Sequence, residues 1–144
     1  MAMPMIRPRP SRTVVATLLR SVDLPAGDLT DAHMEHFFFA GTPELPLGVV
    51  GVELHGTSAL LRSLAVAPGA RSGGLGAALV AHAEAHARAC HARSMYLLTT
   101  TAAAFFSGHG YRQVARESAP VAIRDTREFA ELCPASSALM TKEL

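Results

Sequence analysis

Hydrophobic and polar positions alternate along this chain with two different periods. Val14, Val15, Leu18, Leu19 and Val22 recur at the spacing of one helix face and predict a first helix over Thr13–Val22. Before it, Met5-Ile6-Arg7-Pro8 suits a short edge strand, where proline is tolerated. Thr30–Glu35 predicts a second helix, with Thr30 or Asp31 as its cap. Phe37–Ala40, Leu47–Leu54 and Ser58–Val66 are short apolar runs bounded by Gly-Thr-Pro and His-Gly-Thr turns. They predict three consecutive strands in an antiparallel meander. Gly74–Ala92 reads as an alanine-rich helix, Ser94–Thr99 as a strand, and Ala102–Ser107 as a short helix ended by Gly108 and Gly110. Tyr111–Arg116 predicts a further strand, Val121–Cys133 a helix, and Ser137–Lys142 a closing strand. The order implies a mixed α/β domain, with antiparallel strands leading into one parallel crossover and helices on the sheet faces.

Composition narrows this picture. The 144 residues suit one domain spanning 1–144. Hydrophobic residues make up 49%, aromatics 6%, and tryptophan is absent, so the core rests on Ala, Leu and Val. A formal net charge of +1 gives no argument for nucleic acid or a membrane surface, and neither is expected as a partner. Arg7, Arg9 and Arg12 read as a solvated start. Thr13–Leu19 imitates the apolar part of a signal peptide, but Arg20 and Asp23 cut it short and no cleavage pattern follows. No segment reaches the roughly 18 apolar residues of a membrane span. Cys90 and Cys133 fit neither a disulfide framework nor a zinc site. The expectation is a soluble, cytoplasmic protein.

The segment Ala67–Leu79, APGARSGGLGAAL, carries Gly73, Gly74 and Gly76 between a strand and a helix. Glycines this dense contribute no packing and cost backbone entropy. At a helix start they let the chain turn sharply and let an anion approach unpaired N–H groups at the positive dipole end. That is the physics of pyrophosphate binding. The dinucleotide spacing G-x-G-x-x-G is not met, and no Gly-Lys-Ser/Thr completes a Walker motif. What remains is Arg71-Ser72-Gly73-Gly74-Leu75-Gly76, an R-x-x-G-x-G.

That hexapeptide resembles the acetyl-CoA pyrophosphate loop of the GNAT N-acetyltransferases. Leu64-Ala65-Val66 with Pro68 resembles the family's strand before the loop, and Ala102–Tyr111 (AAAFFSGHGY) its later A-x-x-x-[FY]-x-x-x-G-[FY] signature. The resemblance covers roughly residues 5–144. Within the superfamily, LLRSLAV, LLTTTAAAFF and ELCPAS resemble the small acetyltransferases linked to arsenic-resistance operons. The resemblance implies a GNAT fold, with one mostly antiparallel central sheet splayed at a parallel strand pair. It implies acetyl-CoA as cosubstrate and direct acetyl transfer to a primary amine of a small molecule, amino-acid-like or arsenical. A homodimer is common in the family.

Carried onto this sequence, the resemblance gives the pantetheine arm the backbone of Leu64, Ala65 and Val66. The diphosphate falls to the amides of Arg71, Ser72, Gly73, Gly74, Leu75, Gly76 and Ala77. Amides near Val66 would polarise the thioester carbonyl. The family's tyrosine, which protonates the leaving thiolate four residues before Gly110, is Phe106 here and has no proton to give. Thr99, Thr100, Tyr111, Cys133 or water could replace it, or the thiolate leaves unaided. The family's asparagine maps to Thr99. Phe105 or Phe106 would line the acyl pocket. The acceptor site would be built by Ala26–His36 and Ala115–Arg127.

For a base, Glu53 on the second meander strand stands out, acting through water; the plainer reading points it to solvent. Arg62 interrupts LLRSLAV beside the expected cleft. It would hold a substrate carboxylate bidentately, or pair with Glu53 or another carboxylate. His82, Glu84, His86, Arg88 and His91 read as a wet helix surface, with Glu84 and Arg88 an i,i+4 pair and no metal bound. His109 reads as part of a helix-end turn, and Cys133 as a buried apolar residue. Two rival readings remain: a non-catalytic acetyl-CoA sensor, motivated by Phe106, and a metalloid-binding protein using Cys90 and Cys133.

Overall fold

The computed structural model describes residues 4–144. Its strands are β1 (Ile6–Pro8), β2 (Phe37–Gly41), β3 (Pro46–His55), β4 (Ser58–Val66), β5 (Ser94–Thr99), β6 (Arg112–Val114) and β7 (Ala138–Glu143). Its helices are α1 (Arg12–Ser21), α2 (Leu75–Ala89), α3 (Ala103–Ser107) and α4 (Val121–Arg124). The seven strands form one sheet in the order β1-β2-β3-β4-β5-β7-β6. Every adjacent pair is antiparallel except β4 and β5.

Strand alternation sends neighbouring side chains to opposite faces. Phe38, Ala40, Val50, Val52, Leu61, Met95 and Leu97 meet the apolar stripe of α2, namely Leu75, Leu79, Val80, Ala83 and Ala87, together with Phe106 of α3. Phe37, Phe39, Val49 and Ala65 face the other way, onto Val15 and Leu19 of α1. Ile123 of α4 covers Leu60 and Leu139 on that second face. Phe37, Phe38 and Phe39 are thus all buried, because the sheet is covered on both sides.

Two expected helices are corrected. Thr30–Glu35 is no α-helix; only a 3-10 turn forms, over His33–His36. Met34 is its one buried residue, and so short a segment cannot repay helix nucleation. Val121–Cys133 is broken. α4 stops at Arg124, and a wide π-type turn follows over Glu128–Leu132. The Thr126 hydroxyl causes the break by donating to the Ile123 carbonyl at 2.7 Å and accepting from the Phe129 amide at 3.2 Å. α2 is also shorter than expected, ending at Ala89.

Two features of β4 position the site. Its parallel pairing with β5 covers only Ser58–Leu60 against Ser94–Tyr96, so the strands part beyond Leu60. Facing β3, Val49 opposes Ala65 while Gly51 opposes Arg62, so Ser63 and Leu64 together face Val50. This is a β-bulge, and Ser63 takes a φ of +59° there.

Candidate active site

Where β4 and β5 part, a cleft of about 720 Å³ opens. Its walls come from Leu61–Val66 of β4, Leu97–Thr99 of β5 and the following Thr100–Ala102, Val22–Pro25 after α1, and Glu128, Leu132, Cys133, Pro134 and Ser137. Arg71 and Phe106 also line it. Of the residues the sequence singles out, Arg62, Leu64, Ala65, Val66, Arg71 and Thr99 therefore meet in one place.

At one end of the cleft the glycine loop enters α2. Ser72 and Gly74 both have positive φ, +74° and +82°, and Gly74 is the residue ahead of the helix. The turn aims its amides outward. Among the described residues nothing accepts from the amides of residues 72–77; the first bonded one is Ala78, donating to the Gly74 carbonyl at 3.1 Å. No side chain caps the helix. A Cβ at Gly73 would meet only the Ala70 carbonyl, at 3.9 Å. A row of free N–H groups beside open space fits a diphosphate. Leu75 contributes only its amide here, since its side chain is buried in the core under α2. Arg71 folds back and donates through Nε to the Val66 carbonyl at 3.1 Å, tying the loop to the end of β4. Phe105 lies outside the cleft lining and packs beside Gly76, whose added Cβ would stand 3.5 Å from its ring. Phe106 is the aromatic that lines the cleft. The Thr99 hydroxyl accepts from the Ala102 amide at 3.0 Å and so organises the turn into α3.

The second-face side of β4 carries a charge cluster. Arg62 opposes Gly51 and Glu53 opposes Leu60, so both side chains leave the sheet on the α1/α4 side. Arg62 is buried and donates through Nη1 to Asp28 and, at 2.8 Å, to Glu53; through Nη2 to Asp28 at 2.8 Å; and through Nε to Ser63 at 3.0 Å. Of the two readings of Arg62, the ion pair is the one present, and no pair of donors remains for a bidentate clamp on a substrate carboxylate. Burial disfavours the arginine's charge, but Asp28, Glu128 and Glu53 outweigh it and hold the guanidinium ionised. Glu53 does not point to solvent, and it is absent from the cleft lining; besides Arg62 it meets His55 at 3.4 Å and His33 at 3.8 Å. Asp28, His33 and Glu53 lie close enough together to suggest a metal, but Arg62 already serves both carboxylates as their cation.

Sequence reasoning missed Glu128. It lines the cleft, is 6% exposed, and finds no hydrogen-bond donor among the described residues; Arg62 Nε stands 3.9 Å away. Burial pushes its carboxyl up to about 7, against the pull of Arg62 and with the push of Glu53 and Asp28. Cys133 also lines the cleft, and burial, then Glu128, pushes its thiol up to about 12.

Other expectations are corrected on the far side of the sheet. The Tyr111 hydroxyl does not reach the cleft; it donates to buried Glu84 at 2.9 Å, and burial and Glu84 raise its pKa. Lys142 donates to the same carboxylate at 3.1 Å, so Glu84 belongs to a buried network and not to a wet surface. His82 and His86 are half-buried, with rings 4.6 and 4.9 Å from Phe38, and burial lowers both pKa values. Cys90 lies near His86, while Cys133 lies in the cleft, so no cysteine pair is assembled for a metalloid.

A splayed parallel strand pair, with a glycine-rich helix start at its mouth, is the arrangement that the resemblance to the acetyltransferases implies. Residues 33–113 match the family described as "Acetyltransferase (GNAT) domain", and the chain belongs to that family. No curated protein sequence matches it. Among solved structures, N-acetylglutamate synthase from Neisseria gonorrhoeae, complexed with coenzyme A and N-acetyl-glutamate, is similar at 20% identity and a TM-score of 0.84. The likeness covers 100% of this chain and 36% of that one, so the chain spans about a third of its length. Rv2747 from Mycobacterium tuberculosis, in a complex containing CoA, has 21% identity and a TM-score of 0.71 over 98% and 99% of the two chains. The PaiA N-acetyltransferase from Thermoplasma acidophilum, in complex with coenzyme A, has 16% identity and a TM-score of 0.66 over 100% of both. At these identities the likeness is one of fold. No helix among the described residues is long and apolar enough to cross a membrane.

Proposed function

We propose that this chain transfers an acetyl group from acetyl-CoA to a primary amine of a small molecule. The observation that carries the proposal is the row of unpaired amides at residues 72–77, opening beside a cleft where β4 and β5 part. The diphosphate binds there, and the pantetheine arm runs along the Leu64–Val66 backbone that β5 leaves unpaired. The acetyl group lies toward Phe106. Amino-acid-like and arsenical amines are the finer candidates for acceptor, although Arg62 has no bidentate site left for their carboxylate.

A panel of amines, including amino acids, arsenical and phosphinic amino acids and plain alkylamines, scored by free CoA release, tests the reading. Turnover of at least one amine, with acetyl-CoA binding seen by calorimetry, supports it. No heat of acetyl-CoA binding overturns it. One observation favours a second reading, a sensor that binds acetyl-CoA without turnover. Phe106 stands where the family's proton donor would be, and Tyr111 is committed to Glu84. Binding without CoA release from any amine would select that reading.

A further inference from the structure

Resting on the acetyl-transfer reading, we infer that residues 128–137 form the acceptor wall, with Glu128 as catalytic base and the Ser137 hydroxyl as a second acceptor contact. Two polar side chains without hydrogen-bond partners lie on this wall, and one of them, Ser137 Oγ, is shut off from solvent. Glu128 has two carboxylate oxygens and no hydrogen-bond donor among the described residues. Ser137 is 4% exposed, and its Oγ has no hydrogen-bond partner. Both residues line the cleft. A buried carboxylate or hydroxyl left unpaired is costly, and native structures rarely tolerate one without a reason. The missing partner for both is a hydrogen-bond donor delivered by a ligand. A substrate ammonium carries three.

The base must be reached from the cleft and must be free. Glu53 fails on both counts, being held by Arg62 and absent from the lining. Glu128 meets both. The charged and titratable groups facing it are Arg62 from β4, Glu53 from β3 and Asp28 from the connection after α1, with Cys133 from its own turn. His33 and His55 stand behind Glu53. Arg62 is held by Asp28 and Glu53, so it acts as a fixed positive charge beside Glu128 and positions it without occupying it. A carboxyl that titrates near 7 is matched to taking a proton at neutral pH.

The step balances as follows. The acceptor R–NH3+ gives one proton to a Glu128 oxygen. The freed lone pair forms a C–N bond at the thioester carbonyl carbon, and the C–S bond breaks with its electron pair left on sulfur. A second N–H proton passes to that sulfur, giving the CoA thiol. Glu128 then releases its proton to water.

Glu128→Gln, Glu128→Asp and Ser137→Ala test the assignment in the full chain. Glu128→Gln lowers kcat/KM at pH 7 by roughly 10²–10³-fold. Its residual rate rises about tenfold per pH unit with the free amine, so the deficit narrows toward alkaline pH. Acetyl-CoA affinity is unchanged, and Glu128→Asp keeps a pH limb. Ser137→Ala raises acceptor KM by roughly 2- to 10-fold, with the pH limb in place. A Glu128→Gln enzyme with the wild-type pH–rate profile overturns the inference. So that failure of acetyl transfer itself stays distinguishable, the Glu128 carboxyl is also titrated by carbon-13 NMR. A midpoint near neutrality that falls when a cationic amine is added supports the subsite even in a protein that turns over no amine. A midpoint in the ordinary carboxylate range, or no response to any amine, overturns it.

Discussion

Arg62 grips Asp28 with both of its terminal nitrogens, the Nη2 contact to Oδ1 measuring 2.8 Å, and its guanidinium is wholly withdrawn from solvent. Asp28 lies in the connection after α1 and Arg62 on β4, so the pair ties the first connection to the centre of the sheet. Removing one partner of a buried ion pair leaves the other charged and unpaired, at about 3–5 kcal/mol. Arg62→Ala is therefore expected to lower unfolding stability by that order, measured in urea. Arg62→Lys keeps the charge but loses the planar fork, and falls between. Acceptor KM responds alike for amines with and without a carboxylate. A rise confined to carboxylate acceptors would restore the clamp.

Asp28 and Glu128 tie stability to pH with opposite signs. Burial raises the Asp28 carboxyl, but hydrogen bonding and charge from Arg62 outweigh it and leave it below its ordinary value. Its contribution is present above the ordinary carboxylate range and disappears as pH falls through the folded value. Glu128 is raised from 4.5 to about 7, so its contribution is full below 4.5 and is lost as pH rises toward 7. At 1.36 kcal/mol per unit, that loss is of order 3 kcal/mol. Glu128→Gln should be more stable than wild type at pH 8 and not at pH 4, by chemical denaturation at both. Asp28→Asn should flatten the acid limb.

Tyr111 makes a cleaner negative control. Its hydroxyl donates to Glu84, away from the cleft, and Lys142 holds the other carboxylate oxygen. Tyr111→Phe leaves a buried acceptor half-satisfied and should cost about 1–3 kcal/mol in thermal or urea unfolding. The pH–rate profile should not move. A lost alkaline limb would reinstate Tyr111 as a proton donor.

What the sequence revealed followed the range of the interactions involved. Strands such as Ser58–Val66 and the glycine turn are encoded locally, by alternation and by residues that permit a left-handed backbone. The bulge at Ser63–Leu64 is not: LLRSLAV has a strand's composition, and only the register with β3 exposes the extra residue. Glu84 does pair with Arg88, at 4.0 Å, but it looked exposed because its two further partners lie 27 and 58 residues away. Glu128 was hidden inside a predicted helix that the Thr126 hydroxyl interrupts. Glu53 drew attention because a charge inside a strand is visible in sequence; its pairing with Arg62 was one of two readings open there, and only three dimensions select it.

Gly51 tests the sheet beneath the site. It pairs with Phe37, and a Cβ there would fall 2.2 Å from the Phe37 ring, which is fully buried. Gly51→Ala must displace that ring toward α1, and overpacking of this kind costs about 1–3 kcal/mol. Adding Phe37→Leu should recover part of the loss, giving a double mutant less destabilised than the sum of the singles. Strict additivity in urea unfolding would show that the two residues do not compete for the same space.

The two neighbouring glycines of the loop separate backbone conformation from mere bulk. Gly74 sits at φ +82°, where a side chain is strained, while Gly73 is outside the left-handed region and faces open space. Gly74→Val should cost about 1–2 kcal/mol in stability and redirect the unpaired amides that follow. Acetyl-CoA affinity by calorimetry should then fall by about tenfold or more, since a 1.4 kcal/mol loss is one factor of ten. Gly73→Ala should leave stability nearly unchanged and weaken binding only through contact with the phosphates. Equal affinities for wild type and Gly74→Val would place the diphosphate away from this amide row, because a valine strained at φ +82° cannot leave the following amides where the glycine holds them.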